Sequence, residues 1–241
     1  MINSTKEWDW MDKMNYLFDI DGTLTPSRLK IDPKFEKFFL NWMKDKNVYL
    51  VTGSDKDKTV EQIGEKIWNS ANRAYQSCGN AVYEGGELIR KNSFTLPPAL
   101  AELLESCMAW SEWPTLYGTH IEERIGLVNF STIGRGCPQE ARDRYAIWDA
   151  KTRERETFCQ LIEDKFPDLE ASVGGQISID IHIKGQNKAQ VLEEIGGPIT
   201  FFGDKCKPGG NDYPIVQNLK EYGVYHEVKD WKETWEILNG R

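Results

Sequence analysis

The first apolar run, Tyr16 to Ile20 (YLFDI), is short, carries a carboxylate near its end, and predicts a strand. Asp32 then offers an N-cap and Pro33 a first helical position. Phe35, Phe38, Phe39 and Trp42 follow at helical spacing and read as one packed face. A second apolar strand, Val48 to Val51, runs into TGSD, Thr52 to Asp55, and a helix is expected from there to about Trp68. Alternating strands and helices, with polar residues at the strand ends, predict a doubly wound parallel sheet whose ligands lie beyond the carboxyl ends of its strands.

The pattern then changes. Asn80 to Arg90 reads as a hairpin around Gly85 and Gly86, and Leu96 to Trp110, with its Pro-Pro pair, as a short helix. Ile125 to Phe130 and Ser172 to Ile183 alternate apolar and polar, which suits an antiparallel sheet with one face exposed. Between them one long charged helix is expected, roughly Pro138 to Phe166, with Arg142 to Glu156 mostly a solvated face. The α/β rhythm returns with a helix at Lys188 to Ile195 and a strand at Ile199 to Gly203 that leads into Asp204. A helix near Asp212 to Leu219, the strand GVYHEV and a helix around Trp231 to Leu238 close the chain. The expected fold is therefore α/β: a Rossmann-like doubly wound parallel core, residues 1–85 and 188–241, with an inserted α+β cap, residues 86–187, containing the antiparallel sheet.

A length of 241 residues allows one large domain or two small ones sharing a substrate. A formal net charge of -8 argues against a nucleic-acid partner, which would need a basic face, but leaves room for a small anion held by local arginines. The five cysteines are odd in number and lack C-x-x-C spacing, so they read as reduced, mostly buried thiols. The opening residues contain no apolar signal segment and no stretch reaches membrane-span length, so cytoplasmic residence and no membrane partner are expected. Trp8 and Trp10 are expected to cover an edge of the core. His120, His182 and His226 are scattered without zinc-ligand spacing, and DKDK, Asp55 to Lys58, reads as a solvated first helical turn.

The strongest chemical signal is DIDGTLT, Asp19 to Thr25, directly after an apolar strand. Two aspartates one residue apart reach the same loop region. One can attack a phosphoryl group as a carboxylate nucleophile, and the other can move a proton to or from a substrate oxygen. Gly22 permits the sharp turn that follows. This segment resembles the first motif of the haloacid-dehalogenase superfamily. The resemblance implies that Asp19 is the nucleophile and Asp21 the general acid/base. It implies that Thr52 or Ser54 donates a hydrogen bond to the transferring phosphoryl group, and that Lys188 neutralises charge between nucleophile and phosphate. GDKCKPGGND, Gly203 to Asp212, would supply metal-holding acids. A carboxylate attacking a phosphate dianion needs a cation between them, and Mg²⁺ suits oxygen ligands. Asp19, the backbone carbonyl of Asp21, and Asp204 could supply them, with Asp212 in support. Gly209 and Gly210 let the backbone approach closely.

Arg124, Arg135 and Arg142 fall between Gly118 and Arg142, and Arg28 lies just after the first motif. A guanidinium binds phosphate oxygens through two parallel hydrogen bonds. Ser178 and Asp180 alternate along a predicted strand and so share a face that can hold sugar hydroxyls. The segments TLTPSRLKI, GTHIEER, NFSTIGRGCPQE, GGQISID and FFGDKCKPGGND together resemble the eukaryotic-type phosphomannomutase family, in order and over nearly the whole chain. This implies that Arg28, Arg124, Arg135, Arg142, Ser178 and Asp180 contact a hexose phosphate. It implies interconversion of mannose 1-phosphate and mannose 6-phosphate through an aspartyl-phosphate, with a hexose 1,6-bisphosphate as intermediate and activator. It also implies a homodimer through the cap, where Trp110 and Trp113 would lie at a subunit contact or in the cap core. The sequence leaves mannose against glucose open. It also leaves open a sugar-phosphate phosphatase, with water as acceptor, and a hexose-phosphate sensor that forms no phospho-enzyme. Three departures stand out: Thr52 where the family usually has Gly, Asn187 where it usually has Asp, and IVQNLKEYG, 215–223, without the acidic stretch that would hold a second, structural cation.

Overall fold

The computed structural model describes residues 14–219 and 223–240. Trp8 and Trp10, and part of the 215–223 tail, lie outside the described residues. β1 (Asn15–Phe18), β2 (Asn47–Val51) and β3 (Arg73–Gln76) form parallel pairs, and β10 (Ile199–Gly203) pairs parallel to β1 on its other side. β11 (Val224–Glu227) extends that side, while β4 (Ala81–Glu84) and β5 (Glu87–Lys91) add antiparallel beyond β3. The seven-stranded order is β11-β10-β1-β2-β3-β4-β5. The chain thus winds outward in opposite directions from β1, and the reversal falls between β1 and β10. In open α/β sheets that is where the strand ends leave a crevice for ligands.

The central strands β10, β1, β2 and β3 are largely buried on both faces, as parallel sheets require, while β5 and β11 at the edges are exposed. Phe18, Val48, Leu50 and Phe202 point to one layer, packed by α1 (Pro33–Trp42), α2 (Lys56–Ser70) and α7 (Trp231–Leu238). Leu17, Val51, Tyr75 and Phe201 point to the other, covered by Val191 and Leu192 and by Ile215 of α6 (Tyr213–Asn218). Asp32 caps α1 as expected, accepting from the backbone N–H of Lys34 at 2.8 Å and of Phe35 at 3.2 Å. Asp55 caps α2 in the same way.

The second unit is a four-stranded antiparallel sheet, β6 (Thr119–Arg124), β7 (Leu127–Arg135), β9 (Ser178–Ile183) and β8 (Leu169–Gly174), in the order β6-β7-β9-β8. α3 (Pro98–Trp110) and α5 (Glu154–Lys165) cover the face carrying Val128, Phe130, Ile179 and Ile181. The opposite face is not exposed, contrary to the expectation from the alternation. Asn129, Ser178 and Asp180 are all buried there, because that face turns toward the large sheet. Contacts that join the units include Arg124 Nη1 donating to Gly53 O at 3.4 Å, Lys205 Nζ donating to Gly175 O at 3.0 Å, and a bridge between Val173 and Gly210.

Three further expectations are corrected. The hairpin of residues 81–91 is present, but β5 pairs with β4 and belongs to the large sheet. The strand of residues 87–91 thus extends the large sheet and not the antiparallel sheet of the second unit. The single helix expected over Pro138 to Phe166 is two, α4 (Gln139–Thr152) and α5, broken at Arg153, whose φ of 56° is left-handed. The expected helix at Lys188 is a 3₁₀ helix, Lys188–Glu193, capped by the Asn187 side chain. No helix among the described residues is long and apolar enough to cross a membrane.

Candidate active site

At the switch point the ladder holds the end of β1 against β10, with Asp19 N donating to Phe202 O at 2.9 Å. This registers Asp19 beside Asp204, one residue past the end of β10. Carboxylate oxygens of Asp19, Asp204 and Asp212 all lie within 4.8 Å of one another. Lys188 enters from below, donating from Nζ to Asp19 Oδ1 at 2.6 Å and to Asp212 Oδ1 at 2.7 Å, with Lys188 1% exposed. Burial alone would lower the Lys188 pKa, but Asp19 and Asp212 outweigh it and hold the ammonium charged. Burial pushes the Asp204 carboxyl up to about 7, and the neighbouring charge of Asp212 adds to this. Burial likewise raises Asp19, against the pull of Lys188.

Three carboxylates facing one ammonium leave this spot with excess negative charge, and all the free donors are hard oxygens. The set fits a small divalent cation such as Mg²⁺. Gly22 keeps the approach clear: a Cβ there would lie 2.5 Å from Asp204 Oδ2, and its φ of +86° suits glycine. Asp212 accepts on both oxygens, Oδ1 from Lys188 Nζ and Oδ2 from Lys205 N at 3.1 Å. It steadies Lys188 and the 204–212 loop from beneath the cavity. The Asp21 side chain turns away from this cluster. Its Oδ1 accepts from the backbone N–H of Arg28 at 2.5 Å and from Gln62 Nε2 at 2.9 Å. Thr52 is buried at the end of β2, and its Oγ1 accepts from Ser54 N at 3.1 Å, which fixes the 52–54 turn at the cavity wall.

The roof comes from the second unit. Asn129 and Asp180 face one another across the β7–β9 ladder, and Asn129 Nδ2 donates to Asp180 Oδ1 at 2.7 Å. Arg135 Nη1 lies 3.4 Å from both Asn129 Oδ1 and Ser178 Oγ. Glu122 accepts from Arg124 and lies 3.7 Å from Arg135. Burial, then the charges of Arg124 and Arg28, bring the Arg135 guanidinium down to about 10. Burial and Arg28 lower Arg142 as well. Crowded, partly desolvated guanidiniums are stabilised by an anion with several oxygens.

Between floor and roof lies a cavity of about 470 Å³. Asp19, Asp21, Asp204, Thr52 and Ser54 line it from the large sheet, and Arg124, Arg135, Arg142, Ser178 and Asp180 from the smaller one. Arg28, in left-handed conformation at φ 62°, reaches it from the loop after β1. Every side chain that the sequence assigned to catalysis, substrate or metal is thus on this wall or, for Lys188 and Asp212, beneath it. Two residues went unnoticed. Gln62 is buried on α2 and ties Asp21 to Thr25 Oγ1, at 2.9 and 3.1 Å. Asn129 links Arg135 to Asp180. Neither sits in a recognisable motif, although the strand alternation does put Asn129 on the face shared by Ser178 and Asp180.

Comparison with known proteins agrees with this geometry. Residues 35–240 match the family model of eukaryotic phosphomannomutases. A phosphomannomutase of Drosophila melanogaster is 34% identical, with 94% of each chain covered. One from Solanum lycopersicum is 37% identical, with 90% of each covered. Among solved structures, a haloacid dehalogenase-like hydrolase from Bacteroides thetaiotaomicron superposes with a TM-score of 0.58 at 14% identity, covering 95% of this chain and 98% of that one, a likeness of fold. With the acidic floor, the arginine roof and a sequence match running from α1 to α7, the chain belongs to the eukaryotic phosphomannomutase family.

Proposed function

We propose that this chain is a phosphomannomutase that interconverts mannose 1-phosphate and mannose 6-phosphate. The observation that carries the reading is the pairing of two opposite charge centres across one cavity: carboxylates around a buried ammonium on the floor, guanidiniums on the roof. A molecule with a phosphate at each end satisfies both.

In the priming half-reaction, an Asp19 oxygen attacks one phosphorus of a hexose 1,6-bisphosphate. The phosphorus–oxygen bond to the sugar breaks, and Asp21 gives the departing oxygen its proton. The Lys188 ammonium holds Asp19 in line as its charge passes to phosphate. Thr52 or Ser54 donates a hydrogen bond to the transferring phosphoryl group. Arg28, Arg124, Arg135 and Arg142 hold the phosphate that is not reacting, while Ser178 and Asp180 orient the ring. In the second half-reaction Asp21 takes the proton of the free hydroxyl, whose oxygen attacks phospho-Asp19 and releases the carboxylate. The bisphosphate so formed turns end for end, Asp19 takes its other phosphate, and Asp21 protonates the leaving oxygen, which releases the isomerised monophosphate. Mg²⁺ held by Asp19, Asp204 and the backbone carbonyl of Asp21 would supply charge neutralisation at the reacting phosphate. Closing of the roof over the bound sugar would exclude water during transfer, which favours a sugar acceptor over hydrolysis.

The assay supplies mannose 1-phosphate, Mg²⁺ and a trace of hexose 1,6-bisphosphate, and repeats the test with glucose 1-phosphate. Appearance of the 6-phosphate is the expected result. Release of inorganic phosphate as the main product would make the chain a sugar-phosphate phosphatase instead. Binding without either product would make it a sensor. The same reading includes a cytoplasmic protein, consistent with five buried, unpaired cysteines. It also includes a homodimer through the cap. Trp110 is 58% exposed on α3 and available for that contact, whereas Trp113 packs inward on Tyr145 and Trp148.

A further inference from the structure

Arg155 belongs to none of the motifs above and stands apart from the phosphate-facing arginines, yet it lines the cavity while only 7% exposed. The left-handed residue Arg153 folds the start of α5 back on the end of α4. This brings Arg155 onto Asp149: its backbone N–H reaches Oδ1 at 2.9 Å and its Nε reaches Oδ2 at 2.8 Å. The pair is buried on both sides. A buried ion pair adds little net stability, but it fixes geometry strictly, since neither charge tolerates losing the other.

The other end of the guanidinium meets three carbonyls of a single turn. Arg155 Nη1 lies 3.4 Å from Gly174 O, 3.3 Å from Gly175 O and 3.2 Å from Ser178 O. This turn joins β8 to β9 and presents Ser178 to the cavity. Gly174 sits so close to Asp180 that a Cβ would lie 2.4 Å from its Oδ2. Gly175 O is shared, because it also accepts from Lys205 Nζ at 3.0 Å, on the residue after Asp204. Asp149 in turn lies seven residues after Arg142 on α4, on the same side of the helix. One planar fork therefore joins the helix that carries Arg142, the turn that carries Ser178, and the carbonyl that meets the floor.

We propose that Arg155 is a positioning residue for the hexose phosphate. It sets the 174–178 turn so that Ser178 and Asp180 meet the sugar ring as Gly175 meets Lys205. This rests on the reading of the cavity as a hexose-phosphate site. Only a guanidinium can serve Asp149 and the three carbonyls at once; an ammonium keeps the charge but not the reach.

The test is Arg155→Lys, with kcat, KM, product partition and melting temperature measured against the unaltered chain. The expected result is a KM for mannose 1-phosphate raised about tenfold, a much smaller change in kcat, and a larger share of turnovers ending in inorganic phosphate. The melting temperature should stay within about 4 °C. If the lysine variant does not fold, Asp149→Asn, which loosens the anchor and keeps the guanidinium, should raise KM in the same direction by a smaller factor. Unchanged KM and unchanged partition in a folded variant would overturn the inference. So would a proportional fall in kcat with KM unchanged, the mark of a merely structural role. An unaltered chain that neither binds nor converts mannose 1-phosphate would instead sink the functional reading, and this inference with it.

Discussion

An ammonium with almost no exposed surface persists at Lys188 because two carboxylates meet it at 2.6 and 2.7 Å. Replacing it with an apolar side chain leaves Asp19 and Asp212 buried without their counter-charge. Lys188→Met should therefore lower unfolding free energy by about 3–5 kcal/mol, measured by urea denaturation, and abolish transfer. A loss below about 1 kcal/mol would show that the two acids find other partners. Arg135 should behave in the opposite way. Burial and the charges of Arg124 and Arg28 already disfavour its charged form in the folded chain. Arg135→Ala should leave the melting temperature unchanged or higher, while weakening mannose 1-phosphate binding by about 1.5–3 kcal/mol, the scale for hydrogen bonds to charged groups. Normal kinetics in that variant would remove Arg135 from the clamp. These residues were legible because their types announce the chemistry. Gln62 and Asn129 were not, since a lone amide in a helix or strand carries no signal of its own. Gln62 finds Asp21 across 41 positions of sequence, a distance that only the packed fold closes.

The elements differ in how locally they are determined. α1 is specified within its own residues by the Asp32 cap, Pro33 and the phenylalanine spacing, and it forms where the sequence places it. Asp32→Ala should cost about 1 kcal/mol of stability and leave mutase kinetics unchanged, because α1 touches the core and not the cavity. A change in KM would show that the α1 end transmits strain to the 19–25 loop. The break between α4 and α5 had no such marker. Arg153 occupies a left-handed conformation that most L-residues avoid, with neither Gly nor Pro to announce it. Its cause is tertiary: the buried Asp149–Arg155 pair and the turn at 174–178 hold the two helices in place. The assignment of β5 is a similar case. Its hairpin is local, but its membership of the large sheet follows from β4 pairing with β3, as in Ala74 with Tyr83, a choice that alternation alone cannot make. The polar face of β7 and β9 reads as solvent-facing for the same reason. Alternation separates two faces without saying which of them another unit will cover.

At the scale of the whole molecule, the cavity is an electrostatic gradient. Its floor gathers Asp19, Asp204 and Asp212, and its roof gathers Arg124, Arg135 and Arg142. A phosphate entering at the roof end is drawn by the guanidiniums, but its partner at the floor end meets carboxylates first. The two ligands of this site should therefore be coupled. A cation at the carboxylates lowers the repulsion felt by the reacting phosphate, and by thermodynamic reciprocity the sugar phosphate must raise cation affinity by the same factor. A coupling of about 1–3 kcal/mol is the ordinary range, equivalent to roughly 5–150-fold in either affinity. Calorimetric titration of Mg²⁺ into the Asp21→Asn variant, where turnover is suppressed, can be run with and without a hexose 1,6-bisphosphate, and the bisphosphate titrated with and without Mg²⁺. The two factors should agree and exceed unity. The inorganic phosphate ion serves as the control. It is small enough to sit at the roof alone, so it should bind without sensing the metal. Equal Mg²⁺ affinity in the presence and absence of the bisphosphate would mean that the opposed charges do not share one ligand, and the mutase reading would lose the observation on which it rests.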